Sequence, residues 1–116
     1  MTERLVHDTT GTVLAEEVEW CRSALARAKG LIGRRRPPPA LVLEPAAQVH
    51  TFFMRFGVDV VFCDRAWIVI HVASLGPWRM SRWVRGARRV VELPLGAAGR
   101  LRPGDVLRIE PYASDR

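Results

Sequence analysis

Residues 50 to 62 read HTFFMRFGVDVVF, and within this run of aromatic and branched apolar side chains only His50, Arg55 and Asp59 can carry charge or exchange a proton. Regular strand alternation sends Asp59, Val61 and Cys63 to one face and Val60 and Phe62 to the other, so Asp59 lies on an otherwise apolar face. A carboxylate there needs a partner, and arginine is the natural one; Arg55 and Arg79 are the candidates. One reading makes Asp59 a structural residue that fixes strand register. The other makes His50 and Asp59 an acid/base pair of hydrolase type, with Arg55 or Arg79 holding an anionic ligand. No nucleophile with a partner base is evident, so no catalytic residue is assigned. The favoured expectation is a non-enzymatic binding or accessory module. Its polar cleft, formed by His50, Thr51, Arg55, Asp59, Trp78 and Arg79, would take a small anionic ligand or a partner segment.

A second constellation is PWRMSRWVRGARR, residues 77 to 89, where Arg79, Arg82, Arg85 and Arg88 recur every third residue beside Trp78 and Trp83. In a helical or turn-like loop this would set an arginine stripe next to aromatic plates, the combination that neutralises phosphates and stacks bases. Arg82, Trp83, Arg85 and Arg88 are therefore a candidate nucleic-acid patch, which the RRR at 34 to 36 could extend. Alternatively, Trp78 and Arg79 cover the core and the arginines are solvated surface. His50, His71 and Cys63 offer nitrogen and sulfur donors, but their spacing fits no metal-ligand motif, and no metal or cofactor is assigned. VVELPLGAAGRL is given a mechanical role and no chemistry, because a phosphate-cradling loop would need a longer helix and a lysine.

The whole chain, 116 residues, is expected to be a single domain, 1 to 116. Its net charge of +6 would attract nucleic acid or an acidic membrane surface. Yet all but one of its 18 basic residues are arginine, and Ala, Gly, Val and Pro abound, a composition that a GC-rich genome produces regardless of function. The N-terminal MTERLVHDTT has no apolar stretch of signal-peptide length, and no run approaches the roughly 20 apolar residues of a membrane span, so a cytoplasmic location is expected. Cys21 and Cys63, without CxxC spacing, read as small buried apolar residues.

These groups must be positioned by short elements. GTVLAEEVEWC, 11 to 21, alternates as a strand. Ser23 can cap a short helix through ALARAKGLIG, and RRRPPP stops it. Strands are expected at 40 to 45, 49 to 56, 58 to 63 and 67 to 73, with Gly57 at a turn or bulge and Asp64-Arg65-Ala66 making a hairpin turn. VVELP, 90 to 94, is a further strand, and RPGD, 102 to 105, is a tight turn into the last, VLRIEPY. The sum is an α+β, mainly β fold: a small sandwich or barrel-like domain of six or seven short strands with one short helix.

AKGLIGR, VHTFFMRFGVDVVFCD, LGPWRMS and VVELPLGAAGRL occur in that order, and together they resemble the prokaryotic family called domain of unknown function 192, over roughly residues 12 to 110. The resemblance implies a mainly β domain with a short helix, exported behind a signal peptide in some relatives; without that signal this chain looks like the cytoplasmic type. It carries no established activity. The chain departs from the family pattern in having Gly57 where proline is frequent, in lacking a glycine at Asp64-Arg65-Ala66-Trp67, and in a shortened segment before Pro103.

Overall fold

Strand formation follows the runs of β-branched residues. The clearest is β5, Val58–Cys63, buried at all six positions because both of its faces are covered. The structure, a computed structural model, describes residues 2–112. In chain order the elements are β1 (Thr2–His7), β2 (Thr12–Ala15), β3 (Glu19–Cys21), α1 (Ala24–Lys29), β4 (Leu41–Leu43), β5, β6 (Val69–Leu75), β7 (Arg89–Pro94) and β8 (Leu107–Tyr112). They form a three-stranded sheet, β2-β1-β8, and a five-stranded sheet, β3-β4-β7-β5-β6. All pairs are antiparallel except β3 with β4. The sheets meet at one corner, where Val69 N–H donates to Asp105 C=O and Leu107 N–H to Trp67 C=O. The mainly β sandwich with one short helix is the expected architecture, with eight strands where the sequence suggested six or seven. No helix among the described residues is long and apolar enough to cross a membrane.

The five-stranded sheet has a different core on each face. Leu5, Ala15 and Leu107 of the smaller sheet pack with Val42, Val61, Val91 and Leu93 in the space between the sheets. On the outer face, Leu41, Val60, Phe62 and Val90 are covered by Leu31, which follows α1, and by loop residues Val49, Met54, Val84 and Ala87. The helix is capped as expected: Ser23 Oγ accepts from Ala26 N–H at 3.0 Å.

Several expectations need correction. Residues 49 to 56 are a loop and not a strand: one isolated β-bridge pairs His50 with Met80, and further bonds of Val49 and Thr51 hold the segment to the 76–81 loop. Phe53 breaks the extended run by adopting φ 64°, and Thr51 spends its hydrogen bonds on the neighbouring loop. The 11 to 21 segment divides into β2 and β3. The N-terminal TERLVH, which its alternation did not single out, is a strand held between β2 and β8. At the hairpin lacking glycine, Asp64 Oδ1 accepts from Ala66 and Ile68 N–H, while Trp67 itself takes φ 63°. Gly57 is needed for close approach: a Cβ there would lie 2.8 Å from Leu75 O and from Leu95 Cδ1.

Candidate functional site

The covering of the outer face is incomplete. Between α1, the 45–50 loop and the 83–88 loop lies a cleft of about 640 Å³, with β-strand residues Leu43 and Glu92 at its floor and Leu31, Val49, Met54 and Ala87 in its apolar walls. Arg27, Lys29, His50, Trp83 and Arg88 also line it, so its charged lining other than Glu92 is basic.

Glu92 is the unusual member. It sits in the middle of the sheet, opposite Leu41 on β4 and Val60 on β5, and is only 5% exposed. Its Oε2 is buried and accepts no hydrogen bond among the described residues. Burial pushes its carboxyl up to about 7, opposed in part by the positive charge of Arg34. That guanidinium is itself engaged by Glu19, at 2.9 Å, and so does not neutralise the floor of the cleft. A carboxyl poised between its two forms at neutral pH can either donate or accept a hydrogen bond. Sequence reasoning gave VVELP no chemistry; the signal lay in an acidic residue at the centre of an otherwise apolar strand, the same signal that drew attention to Asp59.

Asp59 has a different environment. It is 4% exposed, and its carboxylate accepts from Ser74 Oγ at 2.7 Å, Gly96 N–H at 2.9 Å and Ala98 N–H at 3.1 Å. These donors replace the arginine expected beside it. Arg55 and Arg79 are both exposed, and neither is paired with a carboxylate among the described residues. Asp59 thus pins the 96–98 turn to the edge of β5, on the face away from the cleft. His50 lines the cleft, stacked on Phe52 at 5.0 Å with Nδ1 accepting from Phe52 N–H. The two residues lie on opposite sides of the sheet, and the acid/base pair is not assembled. Cys63 lies across the sheet from His50, whereas His71 is on the same side as His50, and no group of three metal-ligating side chains forms among the described residues. Cys63 packs in the core between the sheets, where burial pushes its thiol to about 12, and His71 pairs across the strands with Phe62.

Thr51 is fully buried and acts as a clip. Its hydroxyl donates to Gly76 C=O at 2.6 Å and accepts from Arg79 N–H at 2.8 Å, while its own N–H donates to Arg79 C=O and its carbonyl accepts from Trp78 N–H. Trp78 is held outward, 56% exposed, with its ring against Phe53 at 4.6 Å. The 77–88 segment is irregular, so Arg82, Trp83, Arg85 and Arg88 form no helical stripe: Trp83 and Arg88 turn to the cleft, and Arg82 and Arg85 to solvent.

Comparison with known proteins agrees with this fold. A UPF0127 protein of Pyrococcus horikoshii is 33% identical over 112 residues, covering 90% of this chain and 96% of that one. A crystal structure of a protein of unknown function from Novosphingobium aromaticivorans superimposes with a TM-score of 0.77 at 21% identity, over 93% of this chain and 84% of that chain. A Sinorhizobium meliloti protein described as a candidate transcription regulator does so with 0.74 at 22%, over 91% and 90%. At such identities the two structures show the fold alone. The profile of the DUF192 family, described as an uncharacterized ACR, matches residues 5–109, and with that span and the ordered motifs within it, the chain belongs to this family.

Proposed function

We propose that the protein is a binding module and that its ligand site is the cleft over Glu92. The ligand class follows from the lining: a small molecule with an apolar body, an anionic end facing Arg27, Lys29 or Arg88, and a hydroxyl or amine reaching Glu92. The observation that carries this reading is the buried, unpartnered Oε2 of Glu92 at the floor of the cleft. Leaving a buried acceptor unsatisfied costs about 1–3 kcal/mol, a cost that a ligand donor would remove. This cleft differs from the polar cleft expected around Asp59, and His50 is common to both.

The test is a thermal-shift screen of aromatic and aliphatic carboxylates in matched pairs, with and without a distal hydroxyl or amine, followed by titration of tryptophan fluorescence. Compounds with the distal group should bind at least about tenfold more tightly than their partners, because a site that hydrogen-bonds a polar group rejects the analogue lacking it. Glu92→Leu should erase that difference, and Arg27→Ala with Arg88→Ala should weaken both members of each pair. Equal binding within pairs, or preference unchanged in Glu92→Leu, would overturn the reading.

A further inference from the structure

The loops at the mouth of the cleft carry a second feature, which shares only Trp83 with the cleft lining. Phe53, Trp78, Met80 and Trp83 are 63%, 56%, 57% and 67% exposed, an unusual concentration of large apolar side chains on one end of a small domain. They come from two loops that Thr51 fastens together, so they project as one unit. Phe53 and Trp78 hold φ of 64° and 62°, a left-handed conformation that bulky residues rarely adopt. Glycine would adopt this backbone conformation more easily than either ring-bearing residue.

The surrounding charge has one sign. Residues 45 to 57 and 76 to 91 contain no Asp or Glu, and they contribute the exposed Arg55, Arg79, Arg82 and Arg85. Elsewhere Arg4, Arg34, Arg89 and Arg108 pair with Glu110, Glu19, Glu44 and Asp8, while Arg35, Arg36, Arg65, Arg100 and Arg102 are exposed and, among the described residues, without a carboxylate partner. No carboxylate is paired with the four loop arginines among the described residues. An apolar tip ringed by unpaired cations complements a surface that is anionic outside and apolar beneath.

We propose that this face docks on an anionic lipid bilayer, with Phe53, Trp78 and Met80 entering the interface and the loop arginines meeting lipid headgroups. A nucleic-acid strand fits less well. Phe53 and Trp78 pack on each other with ring centroids 4.6 Å apart at 56°, leaving no slot for a base between them, and Met80 has no ring face to offer. Trp and Arg are the side chains suited to the boundary between lipid tails and headgroups, and a single amphipathic patch of this size gives reversible attachment.

The test is flotation of the full chain with phosphatidylcholine vesicles, with and without phosphatidylglycerol, at low and moderate salt. Association is expected only with phosphatidylglycerol present, weakening as salt rises and accompanied by a blue shift of tryptophan emission. Phe53→Gly/Trp78→Gly should lower the partition coefficient by about tenfold or more. Glycine suits the left-handed backbone at both positions, so this variant should keep the wild-type unfolding midpoint; Met80→Ser provides a second loss that leaves those positions and the cleft lining intact. Arg79→Gln/Arg82→Gln/Arg85→Gln should abolish the dependence on phosphatidylglycerol. Absence of flotation, equal flotation with neutral vesicles, or undiminished flotation of the glycine variant would each overturn the proposal. So would displacement from the vesicles by a single-stranded oligonucleotide at moderate salt, which would assign the face to nucleic acid.

Discussion

Asp59 and Glu92 sit on the neighbouring strands β5 and β7, equally buried, and their surroundings are opposite. Asp59 has Ser74 and the amides of Gly96 and Ala98 arranged around it; Glu92 has an oxygen with no donor and a cleft above it. A buried carboxylate given a full set of donors holds a fold together, because each hydrogen bond replaces one lost from water. A buried carboxyl without them weakens the fold, and such a group is where a small domain trades stability for a site.

The contrast can be tested from both sides. Asp59→Ala removes the acceptor of Gly96 N–H, Ala98 N–H and the Ser74 hydroxyl, and should destabilise the chain by about 4 kcal/mol in urea unfolding. A loss below about 1 kcal/mol would mean that Asp59 is no keystone.

For Glu92 the expected effect depends on pH. Its folded-state carboxyl is raised from 4.5 to about 7, so between these values the folded chain binds more protons than the unfolded one. Stability from this group is therefore full below pH 4.5, falls as pH rises toward 7 and levels off above it, a change of about 3 kcal/mol. Glu92→Gln should remove that slope and, at pH 8, unfold at higher urea than the wild type by about 2 kcal/mol. Parallel pH profiles of the two proteins would break the comparison.

The smaller effects concern the walls of the cleft and its mouth. Thr51→Val leaves Gly76 C=O and Arg79 N–H without their side-chain partner, and should cost about 2 kcal/mol while loosening the 50–54 and 76–80 loops, read by hydrogen exchange. Ser23→Ala, which uncaps α1 at the wall, should cost about 1 kcal/mol.

Much of the scaffold was legible in the sequence because its signals are local. The β-branched run at 58 to 63, the serine ahead of ALARAK and the RPGD turn each identify an element through backbone preference. The loop at 49 to 56 was not legible: HTFFMRF has the composition of a strand, and only the tertiary bonds of Thr51 and the left-handed Phe53 remove it from one. The site was half legible. That a carboxylate in an apolar strand demands explanation was evident at Asp59, and the same rule applied to VVELP would have singled out Glu92. Which of the two had donors depended on the 96–98 turn folding back onto β5, a long-range contact that spacing does not encode.

The most direct measurement is the pH titration of the side-chain carboxyl carbons by NMR, with the Glu92 resonance assigned by its loss in Glu92→Gln. Glu92 is expected to titrate near 7 in the free chain. A midpoint at the ordinary carboxylate value would show that Glu92 is solvated or partnered, and would contradict the claim that the cleft is built around it.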